Sequence, residues 1–287
     1  MNRTAVLTDT NSGIMYEEGK QKDIFVIPMP VIIDDKIYYE GYNLSPDFFY
    51  ESLTGGKSVT SSQPSPGDVM EMWDRILDKG YKEIIYIPMS SGLSSSCQNA
   101  IQFSAEYDGK VQVADIHRIS VTLREAVMQA VSYANDGASS IEIKELLESK
   151  AYESSIYIAV DTLEYLKRGG RVTAAGAAIG AVLNIKPILT IQGEKLDAFS
   201  KVRGMKKCEV KMLEAVEQDI NTRFATYSRD HFRIGAAGTF SKSKDADQWE
   251  NSVKAAFPEC EVYYNALPLS IGCHVGPEAV GIGVSIV

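Results

Sequence analysis

The sequence predicts an α/β protein of two domains: an N-terminal three-layer α/β domain with a mostly parallel sheet, and a C-terminal mixed α/β domain. Short runs rich in Val, Ile and Tyr alternate with amphipathic stretches in the first half, which is typical of a parallel sheet covered by helices. After about residue 160 this regular alternation ends and a glycine-rich basic segment begins. We therefore predict domains at 1–160 and 161–287, with a ligand cleft where they meet.

The first domain is predicted to contain five strands and five helices, recognised by short apolar runs and by apolar residues three or four positions apart. The helix from residue 66 has the clearest start, because Ser65 is a suitable N-cap, Pro66 suits the first helical position and Asp68 suits the helix dipole. The predicted strands are Thr4–Asp9, Ile24–Ile33, Glu83–Met89, Lys110–Asp115 and Ile156–Val160. The predicted helices cover 45–54, 66–79, 93–107, 119–136 and 140–149.

The second domain is predicted to mix strands and helices less regularly. An apolar stretch from Val172 to Ile185 is too short to cross a membrane, so it predicts a buried helix and turn. The other predicted elements are a strand at 188–192, a helix at Lys206–Ala225, a strand at Phe232–Ala237, a further helix, a strand at Glu261–Tyr264 and a terminal strand from Ala279.

Composition excludes several classes of partner. The chain has 29 Lys and Arg against 38 Asp and Glu, and its net charge of −9 disfavours binding to nucleic acid or anionic membranes. The amino terminus shows no signal peptide, so we expect a cytoplasmic protein without stable membrane insertion. The 4 cysteines and 3 histidines are scattered, which argues against a disulfide framework and a metal site.

The stretch TSSQPSPG (60–67) places three hydroxyl residues ahead of a helix start that needs only one cap. Ser65 fills that role. Thr60, Ser61 and Ser62 are then either solvated loop hydroxyls or donors directed at a ligand that accepts hydrogen bonds.

The stretch IIYIPMSSGLSSSCQNAI takes a predicted buried strand directly into hydroxyls, a glycine and helical spacing. In an open α/β sheet, ligands bind at the carboxyl ends of strands, where the next helix offers backbone N–H groups. Ser90, Ser91 and Gly92 would lie there and suit a carboxylate or phosphate, unless Ser91 merely caps the helix. A serine hydrolase is not favoured, because GLSSS lacks the second glycine of a nucleophile elbow.

Two further features leave alternatives open. His274 is either a hydrogen-bonded core residue or, because Gly276 and Pro277 predict a loop there, a residue that presents a ring nitrogen to a ligand. Basic residues outnumber acidic ones in the segment 163–207, which predicts either a solvated face or a site for a phosphate or an acidic partner.

Taken in order along the chain, several motifs resemble those of the DegV family, the fatty-acid-binding component of bacterial fatty acid kinase systems. The resemblance covers nearly the whole chain. The motifs are LTDTNSG, TSSQPSPG, PMSSGLSSS, LEYLKRGGRV, IGAVLNIKPILTIQGEKL, KVRGMKK and IGCHVGPEAVGIG.

This resemblance implies a non-enzymatic protein, without a cofactor, that encloses one long-chain fatty acid in a tunnel between its domains. It implies that a separate ATP-dependent kinase subunit phosphorylates the bound lipid, and that the acyl phosphate is then carried to an acyltransferase. Arg171 and Arg203 match basic positions near the carboxylate and the acyl phosphate. The residues implied to bind the carboxylate are Ser61, Ser62, Ser91, Gly92, Ser94 and His274.

The chain departs from the family pattern in places. Ser61 lies where threonine is common, and Ser95, Ser96 and Cys97 replace a more usual Gly-Thr-Tyr. The alternative function is an enzyme or regulatory module that acts on a small phosphorylated or carboxylated metabolite.

Overall fold

A computed structural model of the chain describes residues 4–178, 184–192 and 195–287. The chain forms two compact units, Met1–Ala151 and Tyr152–Val287. This boundary precedes the predicted one at residue 160. The reason is that the strand Ser154–Ala159, assigned from sequence to the first domain, pairs with strands of the second unit.

The first unit contains these elements, numbered along the chain. Its strands are β1 (Thr4–Asp9), β2 (Ile24–Ile27), β3 (Pro30–Ile33), β4 (Lys36–Tyr39), β5 (Val59–Ser61), β6 (Glu83–Ile87) and β7 (Val111–Val113). Its helices are α1 (Tyr16–Lys22), α2 (Pro46–Thr54), α3 (Pro66–Asp78), α4 (Ser96–Ser104), α5 (Ser120–Asn135) and α6 (Ser140–Ser149).

The main sheet of this unit is parallel and has the order β2-β1-β6-β7. All six residues of β1 are buried, so the sheet is covered on both faces. Ala5 and Leu7 pack in one cluster with Trp73 of α3, while α5 contacts β1 and α6 contacts β6 and β7. The prediction of a mostly parallel sheet between helices is confirmed.

The predicted strand Ile24–Ile33 is in fact two strands in two sheets. Pro28 follows β2 directly and has no N–H to continue a ladder, so the chain leaves the parallel sheet there. β3 then forms an antiparallel sheet of order β4-β3-β5. Sequence analysis missed β4, β5 and α1, which are short.

The start of α3 is as predicted. Ser65 Oγ accepts a hydrogen bond from the Asp68 N–H at 3.1 Å, and Pro66 occupies the first turn. α6 begins with a complete capping box between Ser139 and Glu142. Local sequence chemistry therefore fixes these two helix starts.

The second unit is a mixed α/β structure. Its strands are β8 (Ser154–Ala159), β9 (Ile185–Ile191), β10 (Asp197–Arg203), β11 (Phe232–Gly238), β12 (Glu261–Ala266) and β13 (Val280–Ile286). Its helices are α7 (Glu164–Gly169), α8 (Ala174–Ala177), α9 (Met205–Asn221), α10 (Ser243–Ala256) and α11 (Leu269–Val275). The sheet order is β10-β9-β8-β13-β11-β12, and only the β11–β12 pair is parallel.

Part of the apolar stretch Val172–Ile185 forms the short helix α8, while residues 179–183 of the prediction lie outside the described residues. No helix within the described ranges is both long and apolar enough to cross a membrane.

The two tryptophans allow a test of one buried hydrogen bond. Trp249 of α10 is 1% exposed and donates from Nε1 to the Gly281 carbonyl at 2.8 Å, whereas the buried Nε1 of Trp73 has no partner among the described residues. Trp249→Phe and Trp73→Phe should each lower the unfolding free energy of the unit that contains them. The loss should be about 1 to 2 kcal/mol larger for Trp249→Phe, because only this substitution leaves a carbonyl unpaired. Native-state hydrogen exchange, measured separately in each unit, checks this, and equal losses would contradict it.

Candidate functional site

The candidate site of the first unit lies where β1 and β6 end. The chain passes from β1 to β2 on one side of β1, and later places β6 on its other side. Connections therefore leave in opposite directions between β1 and β6, which is the position where open parallel sheets bind ligands. The Ser90–Ser95 turn follows β6 at this edge.

This turn uses its own backbone N–H groups. The N–H of Ser90 donates to the Arg118 carbonyl at 2.9 Å, that of Ser91 to Asp115 Oδ1 at 3.3 Å, and that of Gly92 to Ser90 Oγ at 3.1 Å. The Ser94 N–H donates to the Ser90 carbonyl at 3.2 Å. The expectation that this turn offers open N–H groups to a ligand is therefore wrong, and Gly92 would have to exchange an existing bond to bind one.

The hydroxyls of Ser91 and Ser94 remain available as donors. α4 begins at Ser96 rather than at residue 93 and has no side-chain cap at Ser95, so Ser91 is not a helix cap. The Ser91 hydroxyl makes no hydrogen bond to another residue in the described part of the chain. Ser94 Oγ accepts from the Ser96 N–H at 3.2 Å, which leaves its hydrogen to donate.

Asp9 connects the ends of β1 and β6. Its fully buried carboxylate accepts the Asn11 N–H at 2.8 Å and the Met89 N–H at 2.9 Å. Burial raises its pKa to about 6, against the opposing effect of these hydrogen bonds. Sequence analysis quoted LTDTNSG only as part of a resemblance. The signal it missed was a carboxylate placed at the end of a buried strand.

Ser61 and Ser62 are brought to this same edge by a short series of hydrogen bonds. Ser61 ends β5, and the Ser62 N–H donates to the Pro30 carbonyl at 3.0 Å. The adjacent Met29 N–H donates to Thr10 Oγ1 at 3.0 Å, directly after β1.

A second connection joins the loop after β5 to the helix after the Ser90–Ser95 turn. Asn99 of α4 donates from Nδ2 to Gln63 Oε1 at 3.0 Å. The first unit therefore brings together the two hydroxyl segments that sequence analysis selected separately.

The second unit holds His274 in α11, so the prediction of a loop at this position is wrong. Gly276 has a φ of +74° and ends the helix after His274, so the glycine and proline mark the helix end and not a loop around the histidine. A Cβ on Gly169 of α7 would lie 2.3 Å from His274 Nδ1, so this glycine permits the close approach of the two helices.

Arg171 lies close to both Gly169 and His274. Its guanidinium donates to the Gly169 carbonyl, and its charge is near enough to act on His274. Burial first, and then Arg171, lower the pKa of His274 to about 4. The imidazole is therefore neutral at pH 7 and donates from one nitrogen only.

Arg203 is exposed and lies at the other end of β10 from Arg171. The Leu196 N–H donates to the Arg171 carbonyl at 3.0 Å, and β10 with its seven residues then runs to Arg203, a distance of roughly 20 Å along the strand. The Arg203 side chain makes no hydrogen bond or ion pair with another described residue. The two arginines are thus in different surroundings within this unit.

Metal ligation finds no support in the parts of the chain that the structure describes, where no group of three or more His, Cys, Asp and Glu residues could hold an ion.

The fold and these hydroxyl-rich strand ends define a two-unit α/β protein with a candidate ligand site at the switch point of a parallel sheet. The chain belongs to the DegV family, whose model, described as uncharacterised protein, DegV family, matches residues 3–286. A DegV domain-containing protein of Listeria innocua is 33% identical, with 99% of each chain covered.

Solved structures agree with this assignment. One similar structure is that of a DegV family protein from Thermus thermophilus, which is described as binding a fatty acid. Its TM-score is 0.89 and its sequence identity 26%, with 99% of this chain and 100% of that chain covered. DegV of Bacillus subtilis, a fatty acid binding protein, has a TM-score of 0.86 and 28% identity, with 100% of both chains covered.

The pKa of His274 predicts how the stability of the second unit depends on pH. The unfolded histidine titrates near 6.5 and the folded one near 4, so stability from the neutral ring is present above pH 6.5 and is lost as pH falls towards 4. The loss amounts to about 3 kcal/mol. His274→Gln should flatten this part of the stability profile, measured by urea denaturation, relative to the parent protein. A profile of unchanged slope in His274→Gln would contradict the prediction.

Proposed function

We propose that this protein binds a long-chain fatty acid and holds the carboxylate at the edge where β1 and β6 end. The Ser91 and Ser94 hydroxyls donate from the turn, while Ser61 donates from the end of β5 and Ser62 from the loop that follows it. The observation that supports this most is the convergence of these two hydroxyl segments at the switch point of the sheet. Fatty acid binding by related solved proteins of the family points to the same ligand.

The energetics of such a ligand require a polar cradle at one end. Each buried methylene contributes about 0.8 kcal/mol, so roughly a dozen give micromolar or tighter affinity after the costs of association. A carboxylate that leaves water must be hydrogen-bonded, or its burial cancels this gain. Neutral hydroxyls supply those bonds.

Asp9 and Asp115 are the acidic residues at this edge. In the described part of the chain they do not accept hydrogen bonds from the Ser91 and Ser94 hydroxyls, so these hydroxyls can still donate to an anion. Asp9 accepts from two backbone N–H groups, and Asp115 accepts from the N–H of Ser91. Both carboxylates therefore bind backbone and hold the turn, while the serine side chains stay directed to a ligand.

The proposal keeps His274 as a further donor to the carboxylate, as the family resemblance implies. A neutral imidazole donates one hydrogen bond without forming a strong ion pair, so a carboxylate oxygen stays nucleophilic. We propose that a separate ATP-dependent kinase subunit phosphorylates this oxygen, and that an acyltransferase receives the acyl phosphate. The chain itself then acts as a binding and presenting subunit without turnover of its own.

The two arginines receive different roles within this proposal. Arg171, beside His274, neutralises charge on the transferred phosphoryl group. Arg203, exposed at the far end of β10, contacts the acidic surface of the kinase subunit.

Loss of a head-group donor tests the binding site. Ser61→Ala and His274→Ala should each weaken palmitate binding by about 1 to 3 kcal/mol, because part of the carboxylate loses its partner. Isothermal titration calorimetry measures the change, after solvent extraction and mass spectrometry have identified lipid in the purified protein. Ser149→Ala, at an exposed serine of α6, is the control and should bind like the parent.

The result that contradicts the site is parental affinity in both variants. An empty extract, together with no thermal shift on adding palmitate or oleate, would contradict fatty acid binding itself. Turnover of a phosphorylated or carboxylated metabolite by the isolated chain would favour the enzymatic alternative.

Removal of the arginines tests the role in phosphoryl transfer. Arg171→Ala and Arg203→Ala should leave palmitate affinity nearly unchanged and slow acyl phosphate formation by the kinase subunit about 10-fold or more, as expected for lost charge stabilisation or docking. Incorporation of labelled phosphate measures the rate. Lys201→Ala, two residues earlier on β10 and also exposed, is the matched control for Arg203. If Lys201→Ala slows the reaction equally, the effect is due to general positive charge and not to Arg203. If an arginine variant loses lipid binding, that arginine contacts the carboxylate itself.

A further inference from the structure

The chain passes from the first unit to the second between Ala151 and Tyr152, and an arginine binds the backbone on each side of this connection. Arg118, in the loop between β7 and α5, donates from Nε to the Ala151 carbonyl at 3.1 Å and from Nη2 to the Lys150 carbonyl. Arg223 of the second unit donates from Nη2 to the Tyr152 carbonyl at 3.2 Å. Three consecutive carbonyls are therefore held by arginine side chains.

The two carbonyls that Arg118 binds lie beyond the end of α6, whose last turn is completed by backbone groups. The Leu147 carbonyl accepts the Lys150 N–H at 3.2 Å, and the next carbonyl, of Glu148, accepts the Ala151 N–H at 3.2 Å. Arg118 is only 3% exposed, so the cost of burying its charge has to be offset by bonds of this kind. Its guanidinium therefore binds the connecting segment and does not serve as a cap of the helix.

The loop that contains Arg118 also holds the Ser90–Ser95 turn. The Arg118 carbonyl accepts the Ser90 N–H at 2.9 Å, and Asp115 Oδ1 accepts the Ser91 N–H at 3.3 Å. Asp115 is bound to α6 as well, because its own N–H donates to Glu148 Oε1 at 3.1 Å. Two short series of hydrogen bonds thus run from the end of the first unit to this turn.

The backbone of this loop has an unusual conformation. His117 in the loop and Ser120 at the start of α5 both have a φ of +55°, in the left-handed region that residues with a Cβ rarely adopt. Such a conformation persists where the surrounding bonds impose it, and it occurs mainly at functional sites. The His117 N–H donates to Asp115 Oδ1, the oxygen that also accepts the Ser91 N–H. We therefore expect a displacement at one end of the loop to reach the other end.

We propose that Arg118 is a positioning residue, which couples the Ser90–Ser95 turn to the connection between the units. This inference rests on the proposed function. A fatty acid bound at the turn restrains the backbone at 150–151 through Arg118, and a looser connection in return weakens binding, because coupling between two sites is reciprocal. Arg118 acts through its bonds to backbone groups and not through contact with the lipid.

Amide hydrogen exchange at residues 150–151, measured by NMR on the full chain with and without saturating palmitate, tests this coupling. In the parent, palmitate should slow this exchange about 10-fold more than it slows exchange of the α2 amides, which report general stabilisation. In Arg118→Lys, which keeps the charge but loses the fork of the guanidinium, the extra slowing should shrink to within about 2-fold. Palmitate affinity should fall about 10-fold in the same variant.

Arg223→Lys is the matched control, since it alters the bond to the Tyr152 carbonyl and none of the bonds that lead to the turn. It should keep the extra slowing and the palmitate affinity of the parent. Ala151→Gly loosens the connection without removing a carbonyl, so it should weaken palmitate binding in the parent and have no further effect in Arg118→Lys.

Equal extra slowing in the parent and Arg118→Lys overturns the inference, and so does a parent that binds palmitate without extra slowing at 150–151. Additive losses of affinity in Ala151→Gly and Arg118→Lys overturn it too, and all three results leave the proposed function intact. If thermal melting shows that Arg118→Lys does not fold, the exchange of the parent and the affinity of Ala151→Gly decide between these outcomes. A parent that does not bind palmitate overturns the proposed function as well.

Discussion

The buried carboxylate of Asp9 is the contact on which the candidate site depends. Its two oxygens accept N–H groups from the segments that follow β1 and β6, so the two strand ends are held in one arrangement. A charged group in this position is costly, as the raised pKa near 6 indicates, and an uncharged side chain would accept fewer backbone donors. Burying this carboxylate lowers the stability of the unit, but its hydrogen bond fixes the position of Met89 and therefore of the turn that begins at Ser90.

That fixed turn is the reason for proposing hydroxyls, and not the backbone N–H groups of the turn, as donors to the carboxylate. Asp115, Ser90 and the Arg118 carbonyl already accept the N–H groups of Ser90, Ser91, Gly92 and Ser94, in the turn that precedes α4. The backbone is rigid because these bonds are made internally, and the side chains project from it. Under the proposed function, such a site would recognise an oxygen anion by short neutral donors on a scaffold that does not have to reorganise.

Much of the fold follows from local sequence chemistry, and the exceptions have physical causes. The limits of β1 and α6 match the prediction, since apolar periodicity and turn residues coincide there. β2 and β3 were joined in the prediction because an apolar run does not reveal which sheet each half enters. The boundary between the units was placed late for a related reason: β8 pairs with β13, which lies far away in sequence.

The sequence indicated residue types for a candidate site but not its geometry. The hydroxyls at 60–62 left a solvated loop and a ligand site both open until the family resemblance implied Ser61 and Ser62, whereas the role of Asp9 depends on a contact with Met89 across the sheet. His274 was assigned to a loop because glycine and proline both end helices and form turns.

Under the proposed function, neutral donors also suit a carboxylate that is to be phosphorylated. A bidentate arginine would hold both oxygens and lower their reactivity, whereas a hydroxyl or a neutral imidazole donates one hydrogen and leaves lone pairs exposed. Burial, and after it the charge of Arg171, lowers the pKa of His274, so the ring stays neutral. In the proposed function the same guanidinium would stabilise phosphoryl charge. In that proposal the neutral donors bind the acid and the cation acts on its phosphorylated product, so the two tasks fall to different side chains.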